Sequence, residues 1–334
     1  MSEQPSLSTI ETMADVWEAY RAELQGVETQ IHANLTSPVA LVNTVAGHIL
    51  SSGGKRVRPL LLVLAARLCG YGGTDHWQLG ALMEYIHTAT LLHDDVVDDA
   101  DVRRGRHSAR KVWGNQISIL VGDYLYSKAM RQVVDFRMHA VNEALADACW
   151  KMAEGEVLQL YYNGNPAMPL SDYLKIVEHK TAGLIAAACQ VGAMIAGATD
   201  AQERALYRFG QRLGIAFQLA DDTLDYTANG DQFGKAIGQD LCQGRATLPL
   251  LHLLTHCSET DRQMIKDRME TRSLTTQDLV HILDLMHEFG SIAYAKDQAQ
   301  TYIRAAMADL APFDDCMHKR ALSVAAAYMV TRDR

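Results

Sequence analysis

The chain has 334 residues, of which 48% are hydrophobic and 21% charged, so it has the composition and length of a globular protein with a large core. The net charge of −9 and the pI of about 5.8 argue against an overall basic surface, so we expect no nucleic-acid partner. Six cysteines without a C-x-x-C pair argue against a disulfide framework or a zinc site.

No shift in composition marks a boundary, so we expect one domain over residues 1–334. The N-terminal segment has no basic start followed by an apolar run, which predicts a cytoplasmic protein without a secretory signal. The apolar segment from Ala182 to Ala198 is shorter than the roughly 20 residues that a membrane span needs, and it contains Gln190. We therefore expect a buried helix there.

Long segments carry apolar residues at helical spacing, as in Leu79, Leu82, Met83 and Ile86, and no segment alternates as a strand would. This pattern predicts an all-α fold, a bundle of about ten or more helices around an apolar cavity. Glycine and proline clusters predict loops near residues 70–76, 100–113, 162–171, 227–246 and 256–260.

The first chemical cluster along the chain is basic. Lys55, Arg56 and Arg58 lie on a glycine-led turn, and Pro59 begins the apolar helix predicted over residues 60–66. Cations and backbone N–H groups at a helix start form an anion site, although the cluster alone also fits a solvated loop.

Two copies of the pattern D-D-x-x-D follow, each inside an apolar stretch and near a predicted helix end. They comprise Asp94, Asp95 and Asp98 in one copy, and Asp221, Asp222 and Asp225 in the other. Positions four apart share one face of a helix, where unpaired carboxylates repel each other. No Lys or Arg lies between residues 80 and 102. Carboxylate oxygens in this arrangement favour Mg²⁺ that is shared with substrate phosphates.

Further cations surround these motifs: Arg103 and Arg104 after the first copy, Lys180 before the second, and Lys235 and Arg245 after it. Arginine offers a fork of donors that matches phosphate oxygens. Acidic and basic clusters together indicate a diphosphate bridged by Mg²⁺, and the apolar remainder indicates a hydrocarbon substrate tail.

These residues resemble the trans-isoprenyl diphosphate synthases, and among them the long-chain, octaprenyl-type enzymes. The matching stretches lie in order between residues 50 and 255. They are GGKRVRP (53–59), HTATLLHDDVVDDADVRRGR (87–106), LVGDYLYSKA (120–129), EGEVLQL (154–160), HKTAGL (179–184), FQLADDTLDY (217–226) and FGKAIGQDLCQGRATLPLLH (233–252).

The resemblance implies an isoprenoid synthase fold, a homodimer, and the joining of isopentenyl diphosphate to an allylic prenyl diphosphate for quinone side chains. It implies that the six motif aspartates hold about three Mg²⁺ ions and, with Lys180, carry the chemistry. It implies that the allylic diphosphate is contacted by the side chains of Arg103, Lys180, Thr181, Gln218 and Lys235. It implies that isopentenyl diphosphate is bound by Lys55, Arg58, His87 and Arg104. Where the family has Lys, this chain has Arg245.

The resemblance also implies that the helix entering the first motif forms the wall of the product tunnel. Bulky aromatic residues four and five positions before the first aspartate stop the product short in the family. Here Thr90 and Ala89 are small, and Ile86 lies one turn further back. We therefore expect a long, octaprenyl-type product, with a shorter geranylgeranyl or hexaprenyl product as the alternative. The poorly soluble product implies at most transient membrane contact.

His87 and the pair His93–Asp94 also fit an all-α metal phosphohydrolase with His and Asp ligands. That reading leaves the second aspartate motif and the basic clusters unexplained, and His93 alone fits a hydrogen-bonded helix residue better. Cyclising or head-to-head terpenoid enzymes do not need the anion pocket at residues 53–59. A regulatory subunit would lack motif residues, and here only Arg245 departs from the pattern.

Overall fold

The computed structural model describes residues 10–51, 53–227 and 238–331. The chain divides into two compact units. The first unit contains Met1–Cys149, Ala187–Tyr207 and Phe313–Val324, and the second contains Trp150–Ala186, Arg208–Pro312 and Ala325–Arg334.

The helices are α1 (Met13–Ala19), α2 (Arg21–Asn34), α3 (Ala40–Leu50), α4 (Val57–Leu68), α5 (Asp75–Val97), α6 (Ala109–Trp113), α7 (Asn115–Asp135), α8 (His139–Tyr162), α9 (Leu170–Val177), α10 (Gly183–Ile195), α11 (Asp200–Thr227), α12 (Gln239–Cys242), α13 (Leu248–His256), α14 (Glu259–Glu270), α15 (Thr276–Glu288), α16 (Ser291–Asp309) and α17 (Met317–Thr331). A π-helical turn, Glu178–Ala182, joins α9 to α10.

The predicted all-α fold is confirmed. In the part of the chain that the structure describes, the strands are β1 (Val102–Arg103) and β2 (Arg106–His107), an antiparallel pair. They and α6 occupy residues 102–113, which were predicted to be a loop, because two-residue strands carry no alternation that a sequence pattern could reveal.

The core of the first unit is built on α5, which packs against α2, α4, α6 and α7. Every residue of helix α4 from Leu60 to Ala66 is buried. Helix α7 approaches α5 closely at Gly122, where an added Cβ would collide with Nε2 of His93. That nitrogen lies 3.2 Å from the carbonyl oxygen of Ile119, which confirms that His93 is a hydrogen-bonded helix residue.

In the second unit, α13 packs against α15 and α16. The buried Asp309 of α16 accepts hydrogen bonds from two arginines of α11, Arg208 at 2.9 Å and Arg212 at 2.7 Å. Because α11 carries the second aspartate motif, these bonds help to fix its position.

The apolar segment predicted to be a buried helix forms α10, with Leu184 to Cys189 buried, which confirms the prediction. The Gln190 amide donates to Glu203 at 2.9 Å, so the polar group inside this segment is satisfied. Among the described helices, none is long and apolar enough to cross a membrane.

Glu23 of α2 joins three elements of the first unit, α2, α4 and α5, through a partly buried cluster. It accepts hydrogen bonds from Arg67 at 2.7 Å, His76 at 2.7 Å and Trp77 at 2.6 Å. Burial opposes ionisation of Glu23, but these donors outweigh burial and lower its pKa to about 2. The ionised carboxylate therefore stabilises the fold.

Replacing Glu23 with glutamine is expected to lower the free energy of unfolding at neutral pH by about 2 to 3 kcal/mol. Since the folded pKa lies below the unfolded value of about 4.3, this contribution is complete above about pH 5 and is lost as the pH falls through about 2. Urea unfolding of both proteins between pH 7 and pH 3 measures the difference, which should narrow with acidification. Glu18→Gln, which alters an exposed ion pair with Arg21, is the control. An equal difference at every pH would contradict this role of Glu23.

Candidate active site

The first aspartate motif occupies the last turn of α5. Asp98 is the C-cap, and its N–H donates to the carbonyl of Asp94 at 2.8 Å. Asp99 has a left-handed conformation (φ 55°), and the N–H of Ala100 returns to the carbonyl of Asp95 at 2.9 Å, as in a Schellman motif. The last turn contains no basic residue. Carboxylates at the negative end of a helix dipole are unfavourable unless a cation compensates them.

Within this motif, Asp95 differs from its neighbours. Asp94 and Asp98 are half-buried, whereas Asp95 is fully buried and accepts a hydrogen bond from Arg103 Nε at 2.6 Å. Burial raises the pKa of Asp95, and the charge of Arg103 opposes that rise. The second oxygen, Oδ2, has no hydrogen-bond partner among the described residues. Arg103 therefore contacts the first motif through Asp95, and its predicted contact with the allylic diphosphate stays a prediction.

The residues predicted to bind isopentenyl diphosphate form a cationic cluster in the first unit. Burial lowers the pKa of His87 well below its usual value, and the positive charges of Arg58 and Arg104 lower it further. Burial also lowers the pKa of Arg58 and of Arg104. Nε of Arg58 is buried without a hydrogen-bond partner in the described structure. An anion would relieve this accumulated positive charge. Lys55, the fourth predicted residue, is exposed on the same turn.

Arg56 belongs to the scaffold of this turn. Its guanidinium binds Glu28 at 3.1 Å and Glu84 at 2.9 Å and donates to the Leu50 carbonyl at 2.9 Å. It has a left-handed conformation (φ 46°) at the N-cap of α4. The guanidinium of Arg104 donates to the carbonyl of Gly53, which ties the hairpin loop to the same turn.

The residues predicted to set product length lie on α5 one to two turns before the motif. Ile86 and Ala89 are buried in the first unit, and Thr90 is half-buried with its hydroxyl donating to the carbonyl of His87 at 2.8 Å. The two small side chains, Ala89 and Thr90, therefore lie on a part of α5 that is packed inside the first unit.

In the second unit, the π-helical turn Glu178–Ala182 carries Lys180 and Thr181. Single π turns inside α-helices are frequent at functional sites. Helix α8 approaches this turn at Gly155, where a Cβ would lie 2.8 Å from the Lys180 nitrogen and 2.9 Å from the His179 Cβ. The next residue, Glu156, binds the Lys180 ammonium at 2.6 Å.

A line of hydrogen bonds joins this turn to the second aspartate motif near the end of α11. The Thr181 hydroxyl donates to Gln218 Oε1 at 2.7 Å, and Gln218 Nε2 donates to Asp222 Oδ1 at 2.7 Å. The Tyr173 hydroxyl donates to the other oxygen, Asp222 Oδ2, at 2.5 Å. Thus three predicted residues, Thr181, Gln218 and Asp222, lie together.

The three aspartates of this motif have different surroundings. Asp221 is exposed, and Asp222 is buried. Burial, with the nearby charge of Asp240, raises the pKa of Asp222. Asp225 is half-buried and accepts from the backbone N–H groups of Gln239 at 3.2 Å and Asp240 at 2.9 Å. As in the first motif, the last turn contains no basic residue.

Three residues at this site were not predicted from the sequence: Glu156, Tyr173 and Asp240. Glu156 and Asp240 stand inside stretches quoted for the family resemblance, so their acidic side chains could have been noticed. Tyr173 occupies an ordinary apolar position of α9, and no local pattern distinguishes it. Lys235 lies outside the described residues. Arg245 binds Asp240 at 3.3 Å.

The described residues contain no group of three or more His, Cys, Asp or Glu side chains arranged to hold a metal. His93 lies against the Ile119 carbonyl, so the structure gives no support to the ligand set of a phosphohydrolase. The aspartates do fit Mg²⁺ that keeps waters and shares its coordination with substrate phosphates, since such an ion needs only one or two carboxylates at a time. Oδ2 of Asp95, which is buried without a partner among the described residues, is an acceptor that such an ion or one of its waters would satisfy.

Residues 39–286 of the chain match the polyprenyl synthetase family. The octaprenyl diphosphate synthase of Escherichia coli is 41% identical over 312 residues, which cover 93% of this chain and 96% of that protein. The octaprenyl diphosphate synthase of Haemophilus influenzae is 39% identical over 324 residues, covering 97% of this chain and 96% of that protein.

Solved structures of similar proteins agree in fold. A decaprenyl diphosphate synthase from Rhodobacter capsulatus has a TM-score of 0.92 and 38% identity, covering 96% of this chain and 99% of that one. A polyprenyl synthase from Caulobacter crescentus, complexed with calcium and isoprenyl diphosphate, has a TM-score of 0.91 and 37% identity over 100% of both chains.

Proposed function

The chain belongs to the polyprenyl synthetase family, and from this premise we propose that it condenses isopentenyl diphosphate with an allylic diphosphate, farnesyl diphosphate in the first round. The product is a long all-trans polyprenyl diphosphate of the octaprenyl type, destined for quinone side chains. The single observation that carries the proposal is that both D-D-x-x-D motifs end a helix without a basic residue in the last turn. Two octaprenyl diphosphate synthases among the relatives support the product length.

We assign about three Mg²⁺ ions to the six motif aspartates. When bound, the ions would act as Lewis acids on the diphosphate of the allylic substrate. Asp94, Asp98, Asp221 and Asp225 are the more accessible carboxylates and would supply most of the direct oxygen ligands. Asp95 and Asp222, which are buried and bonded to protein donors, would hold the two helix ends in position.

The protein groups divide between the two substrates. Arg58, His87 and Arg104, with exposed Lys55, bind the diphosphate of isopentenyl diphosphate and hold its double bond in place. Lys180, Thr181 and Gln218, with Arg103 and Lys235, bind the allylic diphosphate. Lys180 would exchange its ion pair with Glu156 for the diphosphate oxygens, which carry more charge.

The reaction begins when the bond between C1 of the allylic chain and its diphosphate oxygen breaks, and the oxygen keeps the electron pair. Positive side chains stabilise the leaving diphosphate. The double-bond electrons of isopentenyl diphosphate then form the new carbon–carbon bond to C1. A proton leaves the resulting cation and goes to the released diphosphate. Apolar helices exclude water, which would otherwise trap the cation.

We further propose that the chain acts as one domain, in the cytoplasm, and as a homodimer, with at most transient membrane contact during product release. Large apolar side chains are exposed on α7, including Leu120 at 62%, and on α8, including Trp150 at 63% and Tyr161 at 74%. Exposed apolar residues on this scale favour burial against a second copy.

The test is an incorporation assay with purified protein, Mg²⁺, farnesyl diphosphate and labelled isopentenyl diphosphate. We expect a ladder of products that ends at one long prenyl diphosphate on reversed-phase separation. Absence of incorporation would refute the enzymatic proposal, while a short endpoint would refute only the product length. Sedimentation velocity of the same sample should give the mass of two chains.

A further inference from the structure

Tyr173 is a buried polar residue to which neither the motifs nor the proposed chemistry assigns a role. It lies on α9 and is 4% exposed. Its hydroxyl donates to Asp222 Oδ2 at 2.5 Å, at the short end of the range for O–H···O hydrogen bonds. A buried tyrosine hydroxyl is usually paired, but pairing with an aspartate of the second motif places this one at the site.

Two different elements hold Asp222 through its two oxygens. Tyr173 of α9 binds Oδ2, and Gln218 of α11 itself binds Oδ1 at 2.7 Å. The same Gln218 amide accepts from Thr181 in the π turn, so it cannot rotate without breaking a bond. The carboxylate is therefore held in one orientation by donors on two sides.

The orientation matters because Asp222 lies directly beside Asp221 and three residues before Asp225 on one helix. If Asp222 lost its partner on α9, a buried acceptor would be left unsatisfied, and the end of α11 would move or rotate to hydrate it. Either movement would displace the two more accessible carboxylates that flank it. Partners of this kind commonly change metal affinity although they never touch the metal.

We propose that Tyr173 is a positioning residue of the second aspartate motif: by fixing Asp222, it sets the geometry with which Asp221 and Asp225 receive Mg²⁺ and the allylic diphosphate. This inference rests on the proposed function, since it concerns the same site. It assigns Tyr173 no contact with the reacting atoms.

The test compares Tyr173→Phe with Tyr162→Phe. The Tyr162 hydroxyl also donates to a carboxylate, Asp172 in the first turn of α9, but that carboxylate belongs to no motif. The two substitutions therefore remove the same kind of bond in the same unit. Titration calorimetry of each purified variant with inorganic pyrophosphate and Mg²⁺ gives the affinity without turnover, and melting temperatures report the fold.

We expect Tyr173→Phe to weaken Mg²⁺-dependent pyrophosphate binding by about tenfold and to raise the Mg²⁺ concentration for half-maximal activity similarly. The KM for isopentenyl diphosphate should stay unchanged, because the residues assigned to that substrate belong to the first unit, whereas Tyr173 and Asp222 belong to the second. Tyr162→Phe should match the wild type in binding. In an Asp222→Asn background, Tyr173→Phe should have little further effect, because the two residues act as one unit.

Equal binding by the two tyrosine variants, or an undiminished effect of Tyr173→Phe in the Asp222→Asn background, would overturn this inference. If the Tyr173→Phe variant melts below the assay temperature, the inference is tested instead by comparing the Asp222→Asn variant with the double variant that also carries Tyr173→Phe. A wild-type protein that binds no pyrophosphate in the presence of Mg²⁺ would instead refute the proposed function itself.

Discussion

Replacing Asp94 with asparagine is expected to lower kcat by about 10²- to 10³-fold, the usual cost of removing one group that stabilises developing charge. Asp94 lies half-buried in the last turn of α5, and the amide that replaces it has no charge to hold Mg²⁺ against the diphosphate. Single-turnover measurements with farnesyl diphosphate at saturating Mg²⁺ would separate this loss from slow product release.

Whereas kcat should fall, the free energy of unfolding of Asp94→Asn should stay the same or rise. Three carboxylates at the negative end of a helix dipole repel one another, so the Asp94→Asn protein without Mg²⁺ should unfold at the same urea concentration as the wild type or a higher one. Asp99→Asn is the matched control, since Asp99 is the next acidic residue of the loop and pairs with Arg110. We expect it to retain activity. Loss of stability together with activity in Asp94→Asn would contradict a metal-binding role.

Replacing Ala89 with phenylalanine is expected to shift the main product to a shorter prenyl diphosphate. The aromatic ring would occupy the side of α5 from which the growing chain is proposed to extend, five residues before Asp94. Because Ala89 is 2% exposed, the substitution also overpacks the helix, at a cost of about 1 to 3 kcal/mol. Reversed-phase separation of labelled products measures the shift.

A comparison with Ala81→Phe distinguishes the shortening of the product from the loss of stability by overpacking. Ala81 is equally buried on the same helix but lies farther from the motif. We expect it to lower the melting temperature without changing the product. Thr90→Phe, at a half-buried position that accepts a larger side chain more easily, should shorten the product with less loss of stability. An unchanged product in both Ala89→Phe and Thr90→Phe would contradict the tunnel assignment.

Much of the fold could be predicted because helical periodicity is a local signal. The apolar spacing of α5 predicted a helix, and positions 94 and 98 then had to share its last turn. The length and small residues of the segment around Gln190 correctly predicted a buried helix. The hairpin of β1 and β2 could not be predicted, because two residues per strand carry no period.

The candidate site was predictable where chemistry itself is local, as in the aspartate motifs and the cationic turn at residues 53–59. The partners of those residues were not. Arg56 looks equivalent to Arg58 in sequence, yet it is bound by Glu28 and Glu84 from other helices. Tyr173 lies 49 residues from the aspartate that it binds. Such contacts arise from the packing of helices that are far apart in the sequence, and a short sequence motif carries no information about them.

Because Glu178–Ala182 forms a π turn, the number of residues in this segment is itself constrained. Each residue advances a helix by about 100°, so a turn with one extra residue offsets every later side chain by that angle. Deleting one residue between positions 178 and 182 would restore regular α-helix and rotate the start of α10 out of phase with its neighbours. We therefore expect selection to tolerate substitutions here far more readily than insertions or deletions.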